Sequence, residues 1–307
     1  MVILLGSTGY IGQEFKKQLE ELNVETYCIS RHDYNYYDLG VLRQILHERR
    51  PEFLINCAGY TGKPNVDACE DNQEETRRAN VGLVQTISKA CLMNGTKWGH
   101  VSSGCIYQGT KGANGFTELD MPNFSFGLGN CSYYSGTKAQ AEEIIAHTGG
   151  DCYIWRLRIP FDEYDSPRNY LTKLIKYPMT LDANNSISHK GDFVKYCLQL
   201  WQQKADLGIY NVVNTGAVTT KEVTDKINEI LGIDRKFKFF ENEEQMYQIG
   251  AARARRSNCV LDNAKLRNAI KPKRVRPAIK AIEASLKQWK ELKQEKDENG
   301  IPKSFWD

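Results

Sequence analysis

The 307-residue sequence predicts an α/β fold, a Rossmann-type doubly wound parallel sheet with a smaller C-terminal substrate-binding lobe. Three observations carry this. Short apolar runs alternate with amphipathic segments, giving three βα units in about the first ninety residues. The first run stops at a glycine-rich turn, Gly6-Ser7-Thr8-Gly9-Tyr10-Ile11-Gly12. Small or polar residues then recur where each predicted strand ends, at the edge where such sheets hold their ligands.

Val2 to Leu5 is long enough for a buried strand and too short for a helix. The turn after it leads into an amphipathic helix reaching about Leu22. Glycine lets the backbone turn tightly and approach a pyrophosphate, whose charge suits a helix N-terminus. The whole turn, Gly6, Thr8, Gly9, Tyr10, Ile11 and Gly12, is therefore expected at a dinucleotide. The second strand, Glu25 to Ile29, ends in Ser30-Arg31-His32. An acid at this point would hold a ribose 2′-hydroxyl, whereas an arginine accommodates a 2′-phosphate. Ser30 and Arg31 thus favour NADP(H), with Asp33 a little further on as the competing feature. Asp38 is the expected N-cap of a helix to Arg50. Phe53-Leu54-Ile55-Asn56-Cys57-Ala58-Gly59 is the third strand, with a glycine stop.

The loop Tyr60 to Asp67 lies at the same edge, so Thr61 and Lys63 are candidate substrate contacts. A long helix is expected from Asn72 to Asn94. Asn80 in its middle is a poor helix former, which points to a specific hydrogen bond or to an exposed position. Lys97 to Val101 is the fourth strand and opens into Ser102-Ser103-Gly104-Cys105. A Gly-, Asn- and Pro-containing loop from Tyr107 to Cys131 has the length of a functional flap. Tyr134 and Lys138 follow on a helix, four apart and so on one face. An ammonium there lowers the pKa of a phenol, ordinarily about 10. Ser103, arriving from a strand end, would complete a proton-transfer group.

Cys152 to Arg158 is the fifth strand, with Arg158 at its end. A helix begins near Pro167. Ile209 to Val213 is a late strand. Thr219 to Leu231 is a helix with a capping box, Glu222 standing three residues after Thr219. The basic run Arg253 to Arg256, followed by Ser257-Asn258, breaks the βα alternation. It is either a solvated loop or a meeting point for a nucleotide diphosphate. Pro277 to Lys296 is a charged amphipathic helix. The Rossmann domain is expected at 1–155 and about 180–214. The substrate lobe is expected at about 156–179 and 215–296. A polar tail, 297–307, carries Phe305 and Trp306 as docking candidates.

Composition narrows the class. The net charge of +3 gives no argument for nucleic acid or an anionic membrane. Nine cysteines, an odd number without CxxC spacing, suggest reduced thiols in a cytoplasm and no metal site. Met1 leads directly into a strand, and no run approaches the ~18 apolar residues of a membrane span.

With these residues assembled, the chain resembles the extended short-chain dehydrogenase/reductases. The resemblance rests on Gly6, Gly9 and Gly12, Asn56 to Gly59, Ser103, and Tyr134 with Lys138. Within that superfamily it is similar to the dTDP-4-dehydrorhamnose reductase branch and to nucleotide-rhamnose synthases of the epimerase-reductase type. The stretches Ala58 to Glu70, Gly104 to Ile106 and Pro167 to Lys173 carry this narrower likeness. It implies NADPH-dependent reduction at C4 of an NDP-4-keto-6-deoxyhexose, with Tyr134 as proton donor, Lys138 lowering its pKa and Ser103 polarising the carbonyl. Asp38, Cys57, Ala58, Gly59, Asn80, Tyr134, Lys138 and Arg158 join the glycine turn, Ser30 and Arg31 as implied cofactor contacts. Thr61, Lys63, Ser103, Gly104, Cys105, Asn169, Arg256 and Asn258 are the implied contacts to the nucleotide-sugar substrate.

Epimerisation at C3 and C5 is also implied, with Cys105 and Lys173 as acid and base. In the related GDP-fucose synthase a cysteine two residues after the catalytic serine has this role. Read from the residues alone, Cys105 is a small core hydrophobe. The 4,6-dehydratases of the superfamily carry an Asp-Glu pair where this chain has Gly104-Cys105, so no dehydratase acid is expected. Two alternatives stay open: a reductase served by a separate epimerase, and a cofactor-binding regulatory subunit. A homodimer is common in the superfamily.

Overall fold

Val2, Leu4, Phe53, Ile55, Tyr153 and Trp155 pack into one buried cluster, while Ile3, Leu5, Leu54, Trp98, Cys152 and Ile154 pack into another. Successive residues of a strand face opposite ways, so these are the two sides of one sheet. In the computed structural model, which describes residues 1–294, the strands are β1 (Val2–Leu5), β2 (Thr26–Ile29), β3 (Phe53–Asn56), β4 (Lys97–Ser103), β5 (Cys152–Leu157) and β6 (Gly208–Asn211). They are parallel, in the order β6-β5-β4-β3-β1-β2. The expected tail, with Phe305 and Trp306, lies outside the described residues.

The first face is covered by helices Tyr10–Glu21 and Lys190–Gln202 through Phe15, Leu19, Phe193, Val194 and Cys197. The second is covered by Leu39–Arg49, Leu83–Asn94 and Tyr133–Thr148 through Leu42, Ile45, Leu83, Ile87, Ala141 and Ile145. Strand order reverses between β1 and β3. Beyond the carboxyl ends of these strands lies the crevice in which doubly wound sheets bind ligands.

A third cluster, including Phe161, Leu171, Leu174, Ile187, Val223, Ile227, Ile282 and Leu286, packs helices Tyr170–Lys176, Thr220–Leu231 and Ala278–Gln294 together. The capping box at Thr219 is formed: Glu222 N–H donates to Thr219 Oγ1 at 3.1 Å, and Thr219 N–H donates to Glu222 Oε2 at 2.7 Å.

Several features differ from the sequence expectation, among them β3, which stops at Asn56, and β6, which spans Gly208–Asn211. β4 runs on to Ser103, which pairs with Leu157 of β5. The long helix is α-helical only over Gln73–Arg77 and Leu83–Asn94, with a π-helical stretch Arg78–Gly82 between them. The sequence reading gave no element to Lys190–Gln202, although Phe193, Val194, Cys197, Leu198 and Trp201 have helical spacing. β5 stops at Leu157, and the chain leaves the sheet through Ile159, whose φ of 35° is rare for a β-branched residue.

The loop after β4 is pinned rather than free. Gly109 bridges to Cys259 and Phe116 to Leu261, and the rings of Tyr107 and Phe116 stack at 4.6 Å.

Candidate active site

The glycine turn forms a cradle that side chains would fill. Gly9 N–H donates to Gly6 O at 3.0 Å. Gly6 has φ +77°, and a Cβ on it would lie 2.6 Å from Ala58 N. A Cβ on Gly12 would lie 2.0 Å from Gly6 O. These close approaches bring the first turn of the helix against the ends of β1 and β3, as a dinucleotide pyrophosphate requires. The residues present therefore fit the expected cofactor. At the end of β3, Asn56 Oδ1 accepts from Ala58 N–H at 3.0 Å, and Asn56 Nδ2 meets His100 Nδ1 at 3.1 Å. Burial, with Lys138 nearby, holds His100 well below its usual pKa, so its ring stays neutral.

Ser103, Tyr134, Cys105 and Lys138 come together at the end of β4. The helix from Tyr133 is capped by Ser132, whose side chain accepts from Ser135 N–H at 3.1 Å, and this fixes the first turn that carries Tyr134. Ser103 Oγ accepts from Cys105 N–H at 3.2 Å. Burial pushes the Tyr134 phenol well above its ordinary range; the Cys105 and Cys69 thiols add to this, while a hydrogen bond with Ser103 and the charge of Arg168 oppose it. The net direction is opposite to the expected lowering. Lys138, 6% exposed, donates to Val101 O at 3.0 Å. Burial lowers its ammonium pKa, opposed by Cys105, Glu142 and Cys57. Cys105 is 7% exposed; burial raises its thiol pKa against hydrogen bonds from Ser103 and Ser135 and the charges of Arg158 and Lys138.

Glu142, one further turn along the helix, anchors this group from behind. It accepts from Ser102 Oγ and from Arg156 Nε and Nη2, the last at 2.7 Å, and Arg156 Nη1 donates to Tyr107 Oη at 3.0 Å. The pair is buried.

The other wall is basic. Arg168 Nη1 donates to Thr61 Oγ1 at 2.8 Å. Lys173 has its ammonium pKa lowered by burial and by the charges of Arg168 and Arg256. Arg256 pairs with Asp67, its Nη1 and Nη2 donating at 2.8 and 3.0 Å. Burial alone would raise the Asp67 carboxyl; hydrogen bonds from Arg256 and Ala254 N–H outweigh it and hold it below the usual range. Arg253 pairs with Asp71. Lys63 is exposed on the same loop as Thr61. Gly104 lies under Leu261, 2.5 Å from where its Cβ would be, and Asn258 accepts from Asn185 Nδ2 at 3.1 Å.

Several expected contacts have partners within the protein. Asn169 is fully buried, caps the Tyr170 helix and donates to Asp162 and Tyr164, so it has no group left for substrate. Asn80 takes Tyr60 N–H at 2.7 Å and donates to Tyr60 O and Thr137 Oγ1, with its Oδ1 against Gly59 at the end of β3. Arg158 Nη2 binds Asn185 Oδ1 and Ser257 O. Asp38 caps its helix by accepting from Val41 N–H at 3.0 Å. Tyr10 turns its ring under the Lys190 ammonium, 4.6 Å away, and faces Asp162. Among the described residues no hydrogen bond joins Cys105 to Lys173; the charges of Arg158 and Lys138 lower the thiol pKa, and those of Arg168 and Arg256 lower that of the Lys173 ammonium. His100, Glu142, Arg168 and Asp67 were missed by the sequence reading. Only Glu142 had a sequence signal, its spacing of four from Lys138.

The family model described as the RmlD substrate binding domain matches residues 1–288. The bifunctional dTDP-4-dehydrorhamnose 3,5-epimerase/dTDP-4-dehydrorhamnose reductase of Arabidopsis thaliana is 31% identical over 291 residues, 92% of this chain and 90% of that protein. The chain belongs to this family. It is an oxidoreductase of the dTDP-4-dehydrorhamnose reductase branch of the extended short-chain dehydrogenase/reductases. A trifunctional UDP-glucose 4,6-dehydratase/UDP-4-keto-6-deoxy-D-glucose 3,5-epimerase/UDP-4-keto-L-rhamnose-reductase of A. thaliana is 30% identical over 92% of this chain, which spans 40% of that protein's length. Among solved structures, the UDP-rhamnose synthase of Acanthamoeba polyphaga mimivirus superposes with a TM-score of 0.84 at 22% identity, over 94% of this chain and 98% of that one. A dTDP-4-dehydrorhamnose reductase of Bacillus anthracis in complex with NADP superposes with a TM-score of 0.75 at 20% identity, over 94% and 96%. Both share the family's fold. No helix among the described residues is long and apolar enough to cross a membrane.

Proposed function

We propose that the chain reduces C4 of an NDP-4-keto-6-deoxyhexose with NADPH and couples this to epimerisation at C3 and C5, giving an NDP-6-deoxyhexose such as NDP-L-rhamnose. The observation that carries the reading is the meeting of Ser103, Tyr134 and Lys138 beside the glycine cradle. Bound NADPH supplies the hydride that adds to the carbonyl carbon. Ser103 polarises the carbonyl oxygen. Tyr134 donates its phenolic proton as negative charge develops on that oxygen. A phenol held above its ordinary pKa keeps its proton until that moment, which suits the reducing direction. Lys138, fixed by Val101 O, holds positive charge beneath the site. Arg168, Lys173 and Arg256 form a basic wall suited to the substrate's diphosphate. The third apolar cluster and its helices would form the substrate lobe.

The test is NADPH oxidation by the purified chain with a panel of UDP-, dTDP-, GDP- and CDP-4-keto-6-deoxyglucose, with the product analysed for deuterium after reaction in D₂O. Tyr134→Phe should lower kcat by about 10²–10⁴-fold. No NADPH consumption with any of these sugars would sink the proposal. The lack of a hydrogen bond between Cys105 and Lys173 favours a second reading, reduction alone after a separate epimerase. Wild-type turnover in D₂O decides between them, product without deuterium at C3 and C5 supporting reduction alone, and Cys105→Ala then tests the role of that thiol. Deuterium at C3 and C5 that persists in this variant removes Cys105 from epimerisation, and its loss with reduction intact places Cys105 there.

A further inference from the structure

Beyond the end of β2, two arginines divide one carboxylate. Arg78 donates to Glu75 Oε2 through Nε at 2.9 Å and Nη2 at 2.7 Å. Arg31 Nη1 lies 3.8 Å from the other oxygen, Glu75 Oε1. Among the described residues, Glu75 is the one carboxylate within ion-pair distance of either guanidinium. Both converge on Tyr37. The Arg78 guanidinium lies 4.7 Å over that ring, which itself stacks on Tyr36 at 5.6 Å and 15°. The charges of Arg31 and Arg78 both oppose the burial that raises the Tyr37 phenol pKa. Ser30 Oγ accepts from His32 N–H at 3.0 Å, which leaves the hydroxyl proton of Ser30 free to donate. Two guanidiniums against one paired carboxylate, with the charge of Glu74 also reaching Arg78, a free hydroxyl donor and an aromatic floor lie at one place. All three arginine–glutamate side chains are at least a third exposed, so the pairs with Glu75 are weak and readily exchanged.

We propose that Arg78 is a second reader of the cofactor's adenosine 2′-phosphate, acting with Arg31, and that the phosphate takes the place Glu75 holds between them. A phosphate dianion offers more oxygens than a carboxylate and can accept from both guanidiniums and from Ser30 at once. Arg78 opens the π-helical stretch Arg78–Gly82, inside which Asn80 is drawn to Tyr60, so the turn that carries Arg78 is fixed from the protein side. The inference rests on the NADPH reading above and deepens it.

Its test is equilibrium titration of the free protein with NADPH and with NADH, followed by nicotinamide fluorescence and needing no sugar substrate. The wild type should prefer NADPH. Arg78→Ala should weaken NADPH binding by about ten- to a hundredfold, the worth of one charge-assisted hydrogen-bonded contact. NADH affinity should stay within about threefold, because NADH lacks the phosphate. Adenosine 2′,5′-bisphosphate should lose affinity for the variant in parallel with NADPH, and ADP should not. Should Arg78→Ala bind neither dinucleotide, Arg78→Gln is titrated under the same criterion, since it removes the charge and keeps part of the stem. An NADPH preference that survives the loss of Arg78 overturns the assignment of Arg78 alone. A wild-type protein that binds both dinucleotides equally overturns the cofactor reading instead.

Discussion

Burial acts in opposite senses on the two groups that matter most, raising the Tyr134 phenol and lowering the Lys138 ammonium. Each shift favours the neutral form, as a low-dielectric pocket must. An ultraviolet titration of the free protein, taken as a difference against Tyr134→Phe, should therefore show no phenolate from Tyr134 below about pH 10, the ordinary value. A phenolate appearing near neutrality would contradict this. Glu142 stabilises the same helix through Arg156. Glu142→Gln strands a buried guanidinium and should cost about 3–5 kcal/mol in chemical denaturation. Ser103, Tyr134 and Lys138 were legible in the sequence because a strand end and a spacing of four are local facts. Arg168 and Asp67 were not, because their partners Thr61 and Arg256 are 107 and 189 residues away along the chain. Asn169 was misread for a related reason: a polar residue before a helix suits capping as well as binding, and only its neighbours Asp162 and Tyr164 decide which.

Elements explain where the reading of the fold succeeded. β1 stands as expected because four apolar residues in a row, buried on both sides, admit no helical period, and β3 keeps the apolar run Phe53 to Ile55 but stops at Asn56. The strands of only two residues, such as Pro160–Phe161 and Ser188–His189, left no such trace. The π-helical stretch was hidden too, since the pull of Tyr60 on Asn80 comes from another loop. Two substitutions probe elements singly. A Cβ on Gly99 of β4 would lie 2.1 Å from the Trp155 ring of β5. Gly99→Ala should therefore destabilise the protein by about 1–3 kcal/mol through overpacking, read from the denaturation midpoint. Thr219→Ala removes half of the capping box and should cost about 1 kcal/mol by the same measurement.

At the scale of the molecule, Asp67 joins the loop after β3 to the segment 253–256. Its carboxyl titrates lower when folded than when unfolded. The clasp therefore contributes stability above the unfolded value near pH 3.9 and loses it as pH falls through the lower folded value. The gap in stability between wild type and Asp67→Asn should be constant at neutral pH and should shrink on acidification below about pH 4. A gap that widens there would refute the clasp.

The bridges from Gly109 to Cys259 and from Phe116 to Leu261 also set an order of assembly. A chain emerging from the ribosome can complete β1 to β4 and the glycine cradle long before residue 259 has been made. The loop that follows Ser103 has to wait for more than a hundred further residues before its pairing partners exist. Contacts so distant in sequence form late, after the costly closure of a long loop. During synthesis, β1 to β4 can be made before the partners of the loop after Ser103 exist, and the pinning of that loop comes later.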